Sequence, residues 1–145
     1  MNKRYRLAEV YLYHYHSNMH RLNKTFEQLE YEREHGDLKV QNYGHEVRNE
    51  GINHGAEDWR IKCEKLENRI IYLTRITAGI TILHGHLTVS GRVQRNNEIM
   101  LGIMENVYFK GVRMREYISE TGLTERTLYR RRYELVMLAA EYLNL

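Results

Sequence analysis

From Trp59 to Leu87 a seam-forming side chain returns after four residues, then after three, without a slip: Trp59, Cys63, Leu66, Ile70, Leu73, Thr77, Ile80, His84 and Leu87. Alternation at that period draws one stripe along a helix and leaves the rest of the surface to polar groups. An earlier stretch repeats it with Ala8, Leu12, Tyr15, Met19, Leu22, Phe26 and Leu29, and from Arg4 to Glu34 it contains neither glycine nor proline. Two seams of one kind predict two long helices that pack on each other or on a second copy. The chain of 145 residues has no proline, and 28% of it is charged, which again favours long helices over a loop-rich β fold. An all-α fold with an N-terminal, coiled-coil-like helical pair is expected. Ser17 lies where the first stretch can break into two helices.

Between the seams, Gly36 to Gly55 holds four glycines among mostly polar residues. It reads as a long linker or mobile loop over 36–55, with a short extended piece at Leu38 to Val40. Gly79 and Gly85 weaken the far end of the second long helix, and Gly91 is expected to end it. Arg95 to Phe109 then forms a connecting helix with Ile99, Ile103, Met104 and Val107 inward. This organisation predicts a helical oligomerisation region over 1–92 and a second domain over 93–145.

The second domain carries the most informative stretch. Arg113 to Ile118 reads as a short helix with Val112, Tyr117 and Ile118 on its apolar side. Gly122 takes positive φ cheaply in the turn, Leu123 plugs the angle between helices, and Thr124 caps the next one. In that helix Leu128, Leu135, Leu138, Ala139 and Tyr142 make one apolar stripe. Glu125, Arg126, Tyr129, Arg130, Arg132 and Tyr133 stand off it. A helix held by its C-terminal half, with long donors around its N-terminal half, suits a DNA major groove.

Charge location supports this. Between Lys110 and Glu134 lie seven of the 22 Lys and Arg residues but four of the 19 acids, so the net charge of +3 arises inside this window and the rest of the chain balances. Positive charge confined there fits a phosphate-facing surface. Cys63 is the one cysteine, which excludes an intrachain disulfide and fits a reducing cytoplasm. The N-terminal stretch is too polar for a signal peptide, and no apolar run approaches a membrane span.

Other chemistries find little support. His16 and His20 share a helical face and His84 and His86 form an HxH, but no HExxH or CxxC spacing exists, so neither a metal nor a cofactor is expected. The glycines at Gly44, Gly51 and Gly55 lack a GK[ST] ending, which excludes ATPase and dehydrogenase readings. The chain reads as a binding protein, not an enzyme.

The segment from Glu98 through Asn106-Val107-Tyr108-Phe109, then Thr121-Gly122-Leu123-Thr124-Glu125-Arg126-Thr127-Leu128-Tyr129-Arg130 and the ending Leu138-Ala139-Ala140-Glu141-Tyr142-Leu143, resembles the C-terminal part of RinA/ArpU-type phage late-gene transcriptional activators. In that family a helix ending in paired aromatics precedes a helix-turn-helix similar to region four of bacterial sigma factors. The resemblance covers roughly the last fifty residues closely and the rest in outline. Arg131 departs from it, standing where related sequences tend to carry an apolar residue; its stem is expected to cover the helix pair while the guanidinium reaches solvent. The resemblance implies binding of double-stranded DNA near a phage promoter in the bacterial host cytoplasm, activation of late packaging, structural and lysis genes, and host RNA polymerase as partner. By matching position it makes Thr124, Glu125, Arg126, Tyr129 and Arg130 the leading base or phosphate contacts, with Tyr133 and Arg132 beside them. Arg113 and Arg115, on the supporting helix, are placed to touch the backbone. Two alternatives differ in assembly: a phage small-terminase-like packaging adaptor, which forms a ring, and a helical protein-interaction module whose basic helix only solubilises.

Overall fold

The computed structural model describes residues 2–46, 52–89 and 94–145. Every regular element among them is helical: α1 (Lys3–Tyr13), α2 (Tyr15–Glu46), α3 (Ile52–Thr88), α4 (Arg95–Ile103) running into a π-helical turn (Met104–Phe109), α5 (Met114–Thr121) and α6 (Glu125–Tyr142). The all-helical class expected from the seams is the class found, at 89% helix. No described helix is long and apolar enough to cross a membrane.

The chain divides into two compact units, Met1–Asn18 with Arg75–Leu145, and Met19–Thr74. This differs from the expected division at 92/93, a boundary that falls outside the described residues. The reason lies in the core of the first unit, where Ala8 and Leu12 of α1 and Ile80, Leu83 and Leu87 of α3 join Met100, Ile103, Val107, Leu128, Leu135 and Leu143. A seam of fours and threes looks the same whichever helix covers it, so nothing in the sequence marks the change of neighbours between Thr74 and Arg75.

In the first unit, Asn2 caps α1 by accepting a bond from the Arg4 N–H at 3.0 Å. The first stretch does divide into two helices, at His14 rather than at Ser17: His14 leaves the helix at φ −96°, and the Ser17 hydroxyl, inside α2, donates to its carbonyl at 3.0 Å. The backbones of α3 and the end of α6 approach so closely at Gly79 that a Cβ there would lie 2.5 Å from the Tyr142 carbonyl oxygen. The connecting helix buries Met100, Ile103, Met104, Val107 and Tyr108, with Ile99 partly covered. Its last turn widens to a π-helix in which the Lys110 N–H donates to Glu105 at 3.0 Å. The expected helix end at Gly91 lies outside the described residues.

In the second unit, α2 and α3 pair antiparallel, with Leu29 packed on Cys63 and Leu66, and Glu32 further along α2 meeting Lys62. The inward face of α2 keeps Leu22 and Leu29 of the expected seam but between them buries Thr25 in place of Phe26, which is 45% exposed. Thr25 tolerates burial because its hydroxyl donates to the Arg21 carbonyl at 2.7 Å. The acid Glu32, also buried, receives the Lys62 ammonium at 2.7 Å, and its carbonyl accepts the Trp59 indole N–H at 3.1 Å.

The loop expected over 36–55 is helical wherever it is described, since α2 continues to Glu46 and α3 begins at Ile52; residues 47–51 lie outside the described residues. The extended piece at Leu38 to Val40 is likewise helix. Gly36 is not a loop residue but a contact: the Trp59 indole occupies the space its Cβ would fill. A glycine chosen for close approach and one chosen for a turn look alike in a sequence.

Candidate nucleic-acid interface

The basic surface of the first unit is built by α5, α6 and the short turn between them. Met114 and Tyr117 are buried and hold α5 to the core, with Val112 and Ile118 partly covered. The helix starts one residue later than expected and runs on to Thr121, ending at Gly122 in the left-handed region (φ 69°). Leu123 packs partly buried against the core, and the Thr124 hydroxyl accepts from the Thr127 N–H at 3.3 Å to begin α6. The turn, the plug and the cap are therefore where the residue types placed them.

On the inner side of α6, Leu128, Leu135, Val136, Ala139 and Ala140 are fully buried. Of the expected stripe, Leu138 and Tyr142 are only partly covered, and Val136 and Ala140 take the central positions. Both neighbours on that side are small or β-branched, which lets α6 lie close to α1 and α4.

The outer side carries Arg126, Tyr129, Arg130 and Tyr133, all exposed and spaced three, four and seven along one face. Arg126 pairs with no carboxylate among the described residues. Arg130 is 72% exposed and stands 3.9 Å from Glu134, a loose surface pair that leaves its guanidinium fork available. Glu125 is exposed in the first turn, where a carboxylate also favours the helix dipole. Tyr133 stacks on Tyr5 of α1 with ring centroids 5.6 Å apart and planes 17° from parallel, and it stays 55% exposed. Arg113 and Arg115 are exposed at the start of α5, also unpaired with carboxylates among the described residues. Thr124 is exposed, but its hydroxyl is engaged by the cap and by Thr127 Oγ1 at 2.7 Å.

Arg132 is the exception among the expected contacts. Its Nε donates to the Tyr108 hydroxyl at 2.9 Å, and its Nη2 donates to Glu9 at 3.2 Å and to Tyr13 at 3.4 Å. Tyr108 in turn donates to the same Glu9 oxygen at 2.9 Å. The guanidinium also lies 5.6 Å from the Tyr108 ring centroid. Only 18% of the Arg132 side chain and 24% of Glu9 remain exposed, so this arginine ties α6 to α1 and the π-helical turn and does not face outward. Burial works against the Arg132 charge, but Tyr108 and Glu9 more than offset it and raise its pKa. Burial likewise pushes the Tyr108 phenol far above its ordinary value, with Arg132 opposing.

Arg131 differs from expectation in a smaller way. Its stem is covered, but Nη1 donates to Glu134 at 2.6 Å, so the guanidinium is held on the helix and does not reach out alone. The Glu9–Tyr108–Arg132 network was not foreseen, because its members are 99 and 123 residues apart and each reads alone as a surface residue or a core edge. The histidines have separate neighbours: His84 lies 3.0 Å from Glu105, His86 bonds the Tyr142 hydroxyl at 2.6 Å, and His16 meets the edge of Phe109 at 4.7 Å. Among the described residues no three His, Cys, Asp or Glu side chains converge on a point that could hold a metal ion.

The assembled face is thus narrower than the sequence set: Arg126, Tyr129, Arg130 and Tyr133 along α6, with Glu125 at its start and Arg113 and Arg115 on α5. Two guanidinium forks one turn apart match paired acceptors on guanine edges or phosphates, and phenol hydroxyls match phosphate oxygens. Compared with protein-family models, with curated proteins and with solved structures, the chain matches none.

Proposed function

We propose that α5 and α6 act as a sigma-like helix-turn-helix that binds double-stranded DNA in a sequence-selective way, and that the chain is a transcriptional regulator working by recruitment, without catalysis. The observation that carries this reading is the α6 stripe of Arg126, Tyr129, Arg130 and Tyr133, exposed on a helix whose opposite face is anchored by fully buried Leu128, Leu135 and Val136. A rigidly held helix with outward forks meets the geometric need of major-groove reading. The resemblance of the last fifty residues to RinA/ArpU-type activators supports a promoter-proximal site, host RNA polymerase as partner and a role on phage late genes in the bacterial cytoplasm.

In this reading Arg126 and Arg130 read bases, Tyr129 and Tyr133 contact phosphate or sugar, and Arg113 and Arg115 bind the backbone from α5. The test is titration of the chain into fluorescent DNA from beside its own gene, against scrambled competitor, at two salt concentrations. Selective, salt-sensitive binding is expected. Arg126→Ala with Arg130→Ala should abolish selectivity, each base-reading arginine contributing about 1–3 kcal/mol, while the helical signal is unchanged. A folded double variant with unaltered affinity and preference overturns the assignment, and absence of wild-type binding at low salt overturns the reading.

A further inference from the structure

The outward face of α1 differs in chemistry from the face it turns to the core. The helix has one acid, Glu9, and that carboxylate is committed inward to Tyr108 and Arg132. Outward stand Lys3, Arg6, Leu7 and Val10, at spacings of three and four and all exposed, Leu7 at 41% and Val10 at 48%. Past the end of α6 the chain turns back: Asn144 takes a left-handed φ of 57°, and the Leu145 N–H donates to the Ala140 carbonyl at 3.0 Å. That turn sets Leu145 beside α1. Leu7, Val10 and Leu145, with Lys3, Arg4 and Arg6, then line an open groove of about 510 Å³. No Asp or Glu side chain lines it, and its charge stays positive even when a main-chain carboxylate at Leu145 is counted. Lys3 and Arg4 pair with no carboxylate among the described residues, and the Arg4 Nε is buried without a hydrogen-bond acceptor. The fold thus gathers cations around apolar side chains and supplies no anion of its own from the lining side chains.

We propose that this groove docks an acidic amphipathic helix of a partner protein, whose apolar side chains enter between Leu7, Val10 and Leu145 while its carboxylates meet Lys3, Arg4 and Arg6. Charge complementarity selects this occupant. A nucleic-acid backbone would satisfy the cations and leave the three apolar side chains without apolar contact. A second copy presenting the same face would set cations against cations. A bilayer takes apolar side chains that project into it, whereas these wall a groove. A helix with apolar anchors three and four residues apart and acids beside them answers both features at once. The groove shares no residue with the Arg126–Tyr133 stripe, and docking is measured with no DNA present, so it survives failure of the DNA reading.

The test is fluorescence polarisation of the full chain with a fluorescein-labelled peptide carrying Leu at every third and fourth position and Glu at the others. The same peptide with Lys for Glu, and with Ser for Leu, should each bind at least about 10-fold more weakly. Leu7→Ser and Val10→Ser should each raise the dissociation constant about 10-fold by removing an apolar wall, and Lys3→Glu about as much by reversing a charge. All three positions are exposed, and circular dichroism checks that the variants keep their helices. In the 15N-labelled wild-type chain, amide shifts on adding the Glu–Leu peptide should concentrate in residues 3–10 and 143–145, a readout that needs no variant. Absence of binding, equal binding of the Glu and Lys peptides, or unchanged affinity in all three folded variants overturns the proposal. So does failure to bind peptide in a chain that sediments with phosphatidylglycerol vesicles, which would assign the face to a membrane surface.

Discussion

Replacement of Arg132 separates a structural arginine from one proposed to read DNA. Arg132→Met keeps the stem and removes the guanidinium that Tyr108, Glu9 and Tyr13 share. Removing one partner of a buried ion pair costs about 3–5 kcal/mol, most of it from the charge left behind. Here Glu9 retains 24% of its side-chain exposure and keeps the hydrogen bond from Tyr108, so its carboxylate recovers part of its solvation. An expected loss of about 2–3 kcal/mol follows once that recovery is allowed for. For a unit of this size that lowers the melting temperature by roughly 10 °C or more. Urea unfolding followed by circular dichroism measures it. Combining Arg132→Met with Glu9→Gln should restore about 1–2 kcal/mol relative to the sum of the single changes, because the second substitution discharges the group the first has stranded. At a temperature where all variants are folded, Arg132→Met should leave the salt dependence of DNA binding unchanged. The contrary pattern, wild-type stability with DNA affinity reduced as in Arg130→Ala, would falsify the structural role and return Arg132 to the outer face.

Two further outcomes follow from the same core. Gly79→Ala should destabilise by about 1–2 kcal/mol, because the new methyl must displace the Tyr142 backbone at 2.5 and 2.8 Å and that strain exceeds the gain in helix propensity, whereas Gly85→Ala, with open space around it, should stabilise by about 0.5–1 kcal/mol; thermal melts giving the reverse order would contradict the close approach of α3 and α6. Tyr108 should make stability fall in alkali: its folded pKa is raised by burial, so above pH 10 the unfolded phenol loses its proton while the folded one keeps it. Its contribution is therefore fully present below that pH and declines by about 1.4 kcal/mol per pH unit above it. Tyr108→Phe should flatten the high-pH limb of the urea midpoint, and an equally steep limb would show that Tyr108 is not held neutral.

What could be read from the sequence and what could not divides along the range of the interactions. Gly122, Leu123 and Thr124 were legible because each acts on its immediate neighbours: a left-handed turn, a plug, a cap. Helical class was legible because fours and threes recur whatever lies opposite. The inward face of α2 was not, since Phe26 is the better apolar residue and Thr25 the one buried; only the Arg21 carbonyl and the line through Leu22 and Leu29 to α3 decide between them. Gly36 was misread for the same reason, its glycine being required by Trp59 on another helix. Arg132 is the clearest case. Arg126, Arg130 and Arg132 are chemically identical and lie within two turns, and spacing alone left all three as contacts. Their separation comes from α1, whose Glu9 and Tyr13 reach α6 from more than a hundred residues away and take one arginine inward. Arg126, Tyr129 and Arg130 remain outward because no other helix claims them, Tyr133 stays exposed at the edge of α1 where it stacks on Tyr5, and that remainder, not the number of arginines, is the physical basis for proposing this stripe as the DNA contact.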